Sequence, residues 1–249
     1  MIRLGLLALL LVLAGCTGEA GEPTGSTSTR PPLDSPPNPG PIPAEHGVDP
    51  DLVDRVGAST VRITGIACGR QREGSGFAVT GALVVTNAHV VLGVEHPMLH
   101  RPDERPIPAG VVAFDAVNDL ALLHVDDVEF TPLPLGDADD GTVGAVFGWE
   151  PGPELEVTPF RVDRPVVVSI DAVGSDERVD RDAYLVAAEI EAGDSGAPLV
   201  DATGTVIGVA LGQTVHDSSA AYAVRTAPIS RLLDAGIDEA PARPDCSSS

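Results

Sequence analysis

Three short segments carry residue types that can act on one another. Thr86-Asn87-Ala88-His89-Val90-Val91 places a histidine just after a valine-rich stretch. Asn118-Asp119-Leu120-Ala121-Leu122-Leu123 places an aspartate at the head of an apolar run. Gly193-Asp194-Ser195-Gly196-Ala197-Pro198 sets a serine between glycines. A serine hydroxyl is a weak nucleophile at neutral pH. A neutral imidazole can take its proton as attack occurs and later return it to the leaving group. A carboxylate can hold that imidazole in the required tautomer and stabilise its cation. Gly193 permits a backbone turn that other residues resist. The amides of Gly193 and Ser195 could then converge on a developing oxyanion. Singly, each segment more often serves structure. Their order along the chain, His89 then Asp119 then Ser195, points to one triad.

The elements that must position these groups read as strands. Valine clusters at Val84-Val85, Val111-Val112 and Val166-Val167-Val168 favour the pleated backbone. Candidate strands are 60–67, 75–80, 83–86, 107–115, 120–125, 142–148, 165–171, 183–190, 197–201, 205–211 and 219–224, divided by turn signals such as Asp139-Asp140-Gly141. Short, regularly spaced strands with 27 Gly and 23 Pro indicate an all-β domain, barrel or sandwich. Asp49-Pro50-Asp51 opens a short helix with an acidic first turn. Pro228 to Gly236 shows helical spacing and a glycine stop, and predicts a C-terminal helix. Aromatic residues are 3%, so small aliphatic side chains must fill the core.

A net charge of −22 leaves no electrostatic footprint for nucleic acid. It also repels anionic lipid, so membrane attachment would need another device. Met1-Ile2-Arg3 followed by the apolar run Leu4 to Leu13 has the order of a signal peptide and is too short to span. It ends in Leu13-Ala14-Gly15-Cys16, which resembles a bacterial lipoprotein box. That resemblance implies a signal peptide over 1–15 and lipidation of Cys16, with acyl chains holding the protein at the outer face of the cytoplasmic membrane. Residues 16–47 are rich in Pro, Gly, Ser and Thr and predict a disordered tether. Fully extended, such a spacer reaches up to roughly 90 Å. The body is expected at 48–246 with a tail at 247–249.

The three chemical segments, with Cys68-Gly69 leading into Glu73-Gly74-Ser75-Gly76-Phe77, resemble the trypsin-like serine proteases. Among these they resemble the HtrA-like bacterial members, and in particular the protease domain of actinobacterial MarP-type proteases. The resemblance runs from about residue 52 to 246. It implies two six-stranded β-barrels with the triad at their junction, and a serine endopeptidase acting through an acyl-enzyme without cofactor. It implies that Ala210-Leu211-Gly212-Gln213 pairs with an extended substrate, so Leu211, Gly212 and Gln213 are candidate substrate-binding residues. It places Glu189 at the primary pocket, with selection of basic side chains as one reading and a solvent-facing strand residue as the other. Ala197 departs from the family, which most often has a second glycine there. No cleavage site ahead of the barrel would free an Ile or Val N-terminus, so Asp194 is expected to find local partners. With only a short stretch after Val224, no PDZ-type module is expected.

Setting Cys16 aside leaves Cys68 and Cys246, an even pair in an extracytoplasmic setting. A bridge is favoured over two free thiols, and MarP-like domains carry a comparable one. By loop-closure entropy such a bridge is worth at most on the order of 5 kcal/mol. His46, His96, His100, His124 and His216 lack motif context, and no metal-ligand spacing is present. The expected partners are protein or peptide substrates and the membrane through Cys16, with the chain a monomer and shedding by tether cleavage an option. The alternative functions are a pseudoprotease or a peptide-binding surface lipoprotein using the same cleft.

Overall fold

The computed structural model describes residues 38–235, apart from 103, 150, 151, 153 and 215–217. The signal peptide, Cys16, most of the tether, His216 and Cys246 lie outside the described residues. Among those described, no helix is long and apolar enough to cross a membrane.

Among the described residues, twelve strands form two antiparallel barrels of six. The first contains β1 (Thr60–Ala67), β2 (Arg70–Ala78), β3 (Leu83–Thr86), β4 (Met98–His100), β5 (Ile107–Asp115) and β6 (Leu120–Val125). Its order is β1-β2-β3-β6-β5-β4, closed by Arg62 opposite His100 and Ile63 opposite Leu99. The second contains β7 (Val143–Gly148), β8 (Glu156–Asp171), β9 (Arg178–Ala187), β10 (Pro198–Asp201), β11 (Val206–Gln213) and β12 (Ala220–Arg225). Its order is β10-β11-β12-β9-β8-β7, closed by β7 on β10. Three helices complete the described chain: α1 (Pro50–Ala58), α2 (Ala88–Val91) and α3 (Ala227–Ala235). Asp49 caps α1, its side chain accepting from Asp51 N at 2.9 Å, which satisfies a donor that the helix itself leaves free.

Strand alternation explains how the barrels fill and how they meet. Ile63, Val84, Leu99 and Leu123 fill the first barrel. Phe160, Tyr184, Leu199 and Ile207 fill the second. A third cluster draws on both: Phe77, Leu120, Leu122, Phe147, Val209, Val224 and Ile229. On β6, Leu120 and Leu122 face this seam while Ala121 and Leu123 face the barrel interior, as a period of two requires. Both faces of β6 are therefore buried, and it reads as a continuous apolar run.

The structure departs from the sequence reading in five places, one of them β9, which runs Arg178–Ala187 rather than 183–190. β4 was not among the expected strands, because three residues after Pro97 are too few to show alternation. β2 begins at Arg70 rather than 75, since its first residues are polar and exposed on a hairpin. β8 begins at Glu156, ahead of the expected 165–171. Pro159, Arg161, Arg164 and Pro165 break its apolar pattern, and a bulge between Val162 and Arg164 accommodates the interruption. Residues 38–47, expected in the disordered tether, lie against the second barrel. Pro39 is buried, and Arg161 donates to the carbonyls of Pro39 and Pro41.

Candidate active site

His89 sits on α2, the single helical turn that follows β3. Asp119 lies in the tight turn from β5 to β6 with φ 55°, a left-handed conformation that aspartate tolerates better than most residues. Asp115 stabilises that turn by accepting from Asn118 N at 2.9 Å and Asn118 Nδ2 at 2.6 Å. Asn87 ties the two segments together, its Nδ2 donating to the Asp119 carbonyl at 2.9 Å.

The Asp119 carboxylate, 3% exposed, grips His89 twice. Oδ1 accepts from the His89 main-chain N at 2.9 Å, and Oδ2 lies 2.8 Å from Nδ1. An ionised carboxylate only accepts, so Nδ1 carries the ring proton and Nε2 is left as a base. Behind this pair lies Arg181 of β9, 1% exposed. Its Nε donates to the Val117 carbonyl at 2.8 Å, and Nη1 stands 3.7 Å from Asp119 Oδ2. Burial lowers its pKa, while Asp119 and Asp115 act against that.

Ser195 lies on the turn between β9 and β10. Gly193 has φ 104° and Gly196 has φ 89°, conformations glycine adopts without strain. A Cβ on Gly196 would stand 2.1 Å from the Ser75 carbonyl, so only glycine fits. The turn is closed by Ala197 N to Asp194 O at 2.7 Å and joined to β11 by Gly196 N to Ala210 O at 3.0 Å. Among the described residues, the amides of Gly193 and Ser195 donate to no protein acceptor. Ser195 Oγ likewise makes no hydrogen bond to His89 here; such contacts commonly tighten only with substrate in place.

Asp194 is buried beneath the turn. Burial raises its pKa from 3.8 to about 6; the hydrogen bond from Glu191 N, 2.8 Å to Oδ2, opposes this, and Glu156 and Glu191 reinforce it. Among the described residues no cation pairs with it, and its partner is local, as expected without a freed N-terminus.

Two hollows meet at β11. A cleft of about 690 Å³ is lined by His89, Asp119, Arg181, Leu211 and Tyr222, among others. An open hollow of about 450 Å³ is lined by Ile190, Glu191, Ala192 and Ser195. Gly212 and Gln213 line both. Pairing of β11 with β10 stops at Val209 and Pro198, while Gly212 and Gln213 pair only with β12. Their other backbone edge lies open beside Ser195. Glu189 is exposed and does not line the hollow beside Ser195. Glu191 does, together with Ile190 and Ala192, in the irregular stretch that follows β9.

Two of the remaining histidines, His100 and His46, have hydrogen-bond partners. His100 meets Thr64 Oγ1 at 2.8 Å, and its pKa is lowered by burial first and by Arg62 second. His46 Nδ1 accepts from Val48 N at 3.0 Å. Among the described residues no group of acidic, histidine or cysteine side chains could hold a metal ion. Sequence reasoning missed Arg181, Asn87 and Glu191. Arg181 had the one usable signal, a charge at an inward register position of a strand.

Residues 74–209 match the family model of the trypsin-like peptidase domain. The serine protease Rv3671c of Mycobacterium tuberculosis is 34% identical over 181 residues, covering 70% of this chain and 45% of that protein. A probable periplasmic DegP-like serine endoprotease of Halomonas elongata is 33% identical over 148 residues, covering 56% of this chain and 29% of that protein. The chain thus spans less than half the length of these relatives. The crystal structure of the active form of the Rv3671c protease superposes with a TM-score of 0.74 at 32% identity, covering 87% of this chain and 99% of that one.

Proposed function

Because the chain belongs to the family of trypsin-like peptidase domains, we propose that it is a serine endopeptidase cleaving protein substrates at the cell envelope through His89, Asp119 and Ser195. The observation that carries this reading is the double grip of buried Asp119 on His89, beside a cleft that shares Gly212 and Gln213 with the hollow at Ser195. A substrate strand adds to the open edge of Leu211–Gln213 by main-chain hydrogen bonds. Its scissile carbonyl carbon is attacked by Ser195 Oγ as His89 Nε2 takes the proton. The negative charge that develops on the carbonyl oxygen is met by the amides of Gly193 and Ser195. The imidazolium, stabilised by Asp119, then protonates the leaving amine, and an acyl-enzyme remains. Water activated by the same Nε2 hydrolyses the ester and restores Ser195.

The hollow at Ser195 serves as the primary pocket, with Glu191 as the acid at its rim. Cys16 supplies a lipid anchor at the outer face of the cytoplasmic membrane. Cys68 is disulfide-bonded, which supports a bridge to Cys246. The protein works as a monomer.

Labelling of the full chain by a fluorophosphonate tests the reading. Ser195-dependent labelling is expected between about pH 5 and 9, with Ser195→Ala losing roughly 10⁴ to 10⁶ in kcat on a cleaved peptide. Absence of labelling over that range, with peptide retained in the cleft, would favour the binding function instead.

A further inference from the structure

The segment Glu73-Gly74-Ser75-Gly76-Phe77 has so far served only as a marker of resemblance. In the structure its central residue touches the nucleophile turn. Ser75 lies on β2 of the first barrel and is fully buried. Its main-chain N donates to the Ser195 carbonyl at 2.8 Å. Its Oγ donates to the Gly193 carbonyl at 2.7 Å and accepts from Trp149 N, just after β7, at 2.9 Å. Its own carbonyl accepts from Thr86 Oγ1 at 2.7 Å. The direction of the hydroxyl is unambiguous. A backbone N–H can only donate and a backbone carbonyl can only accept, so the single hydroxyl proton must point at Gly193 O.

That carbonyl belongs to the peptide unit between Gly193 and Asp194. The other end of the same unit, Asp194 N–H, donates to Glu191 O at 3.2 Å. A peptide unit is planar and rigid, so gripping both ends fixes its orientation. The units on either side carry the amides of Gly193 and Ser195. Glycine at φ 104° has no Cβ to bias its rotation, so the turn cannot hold this orientation by local sterics alone. The grip has to come from outside the turn, and the buried hydroxyl supplies it.

We propose that Ser75 is a positioning residue for the oxyanion hole: its hydroxyl turns the Gly193 carbonyl away from the cleft and so aims the amides of Gly193 and Ser195 at the reacting carbonyl. The proposal rests on the proteolytic reading above. It assigns a catalytic consequence to the first barrel beyond His89 and Asp119. It also predicts that Ser75 affects transition-state binding rather than substrate binding.

The test uses the full chain, with Ser75→Ala, Ser75→Cys and Thr86→Val, on a peptide that the unaltered chain cleaves. Thr86→Val removes a neighbouring buried hydrogen bond to Ser75 but leaves the Gly193 grip in place. Loss of an oxyanion donor costs about 10²–10³ in kcat, so mispositioning in Ser75→Ala is expected to cost about 10- to 100-fold, with KM within about threefold. Inhibition by a peptide boronate, whose tetrahedral adduct occupies the hole, weakens by a similar factor. Thr86→Val keeps kcat within about threefold, and Ser75→Cys, a weaker donor in the same place, falls between. A folded Ser75→Ala with kcat near the unaltered value overturns the proposal. So do equal kcat losses in Ser75→Ala and Thr86→Val that track stability. Should Ser75→Ala fail to fold, Ser75→Cys decides, and unaltered kcat there overturns it. If the unaltered chain itself shows no fluorophosphonate labelling, the proteolytic reading fails instead.

Discussion

The two barrels hold their shares of the site by different means. The first fixes its pair with side chains: Asp119 grips His89 twice, and Asn87 and Asp115 brace the turns that carry them. The second presents Ser195 mainly through backbone shape, with glycines at φ 104° and 89° and main-chain bonds to Ala210 and Asp194. Side-chain hydrogen bonds select a protonation state as well as a position, which a base requires. A nucleophile and its oxyanion donors need position above all, which the turn supplies together with the outside grip of Ser75 on Gly193. Damage to the first barrel's pair should therefore change chemistry with little change in stability, while damage to the nucleophile turn should change stability as well.

Asp119→Asn is the sharpest challenge to that contrast. It keeps the shape but lets the imidazole adopt the wrong tautomer, so kcat should fall about 10⁴-fold. Thermal unfolding of the same variant should shift by only a few degrees. A large loss of stability would erase the distinction. Gly196→Ala addresses the other side. Its Cβ would meet the Ser75 carbonyl at 2.1 Å in a backbone region alanine resists. Denaturant unfolding should show a loss of about 3 kcal/mol or more.

Asp194 adds a pH signature to the turn. Its carboxyl titrates near 6 in the fold and near the ordinary 3.8 in the unfolded chain. Between those values the folded state binds more protons, so this group's contribution to stability falls as pH rises from about 4 to about 6 and stays lost above that. Asp194→Asn should remove this component. The variant's stability relative to the unaltered chain should rise by on the order of 2–3 kcal/mol across the window, read from urea midpoints at several pH values. No change with pH would mean the carboxyl is not held protonated by its burial. The smallest effect belongs outside both regions. Val167 on the outer arm of β8 is 63% exposed, and Val167→Ser should stay within about 0.5 kcal/mol.

The expected strands followed the apolar pattern closely where one or both faces are buried by neighbours. β6 and β3 matched within their bounds because Leu120 to Val125 and Leu83 to Thr86 are continuous apolar or β-branched runs. The pattern failed where polarity and strand geometry part company. β8 continues through Pro159 and Pro165 because its ladders to β7 and β9 tolerate a missing donor at those points, which no local preference reveals. His89, Asp119 and Ser195 could be proposed from the sequence because the chemistry proposed for them is tied to short motifs. Arg181 was not, since its role depends on β9 of one barrel reaching Val117 and Asp119 of the other. Glu191 rather than Glu189 at the pocket depended on the path of the irregular stretch that follows β9.

The docking of residues 38–47 on the second barrel has a mechanical consequence. Arg161 binds the carbonyls of Pro39 and Pro41 from the middle of β8, where that strand is laddered to both β7 and β9. Tension arriving from the chain ahead of Asn38 therefore enters the molecule at β8. There it is shared between two hydrogen-bonded ladders, which resist sliding together. The turn at Ser195 belongs to neither ladder, so load shared at β8 reaches it only by way of β7 and β10 or β9 and the chain that follows it.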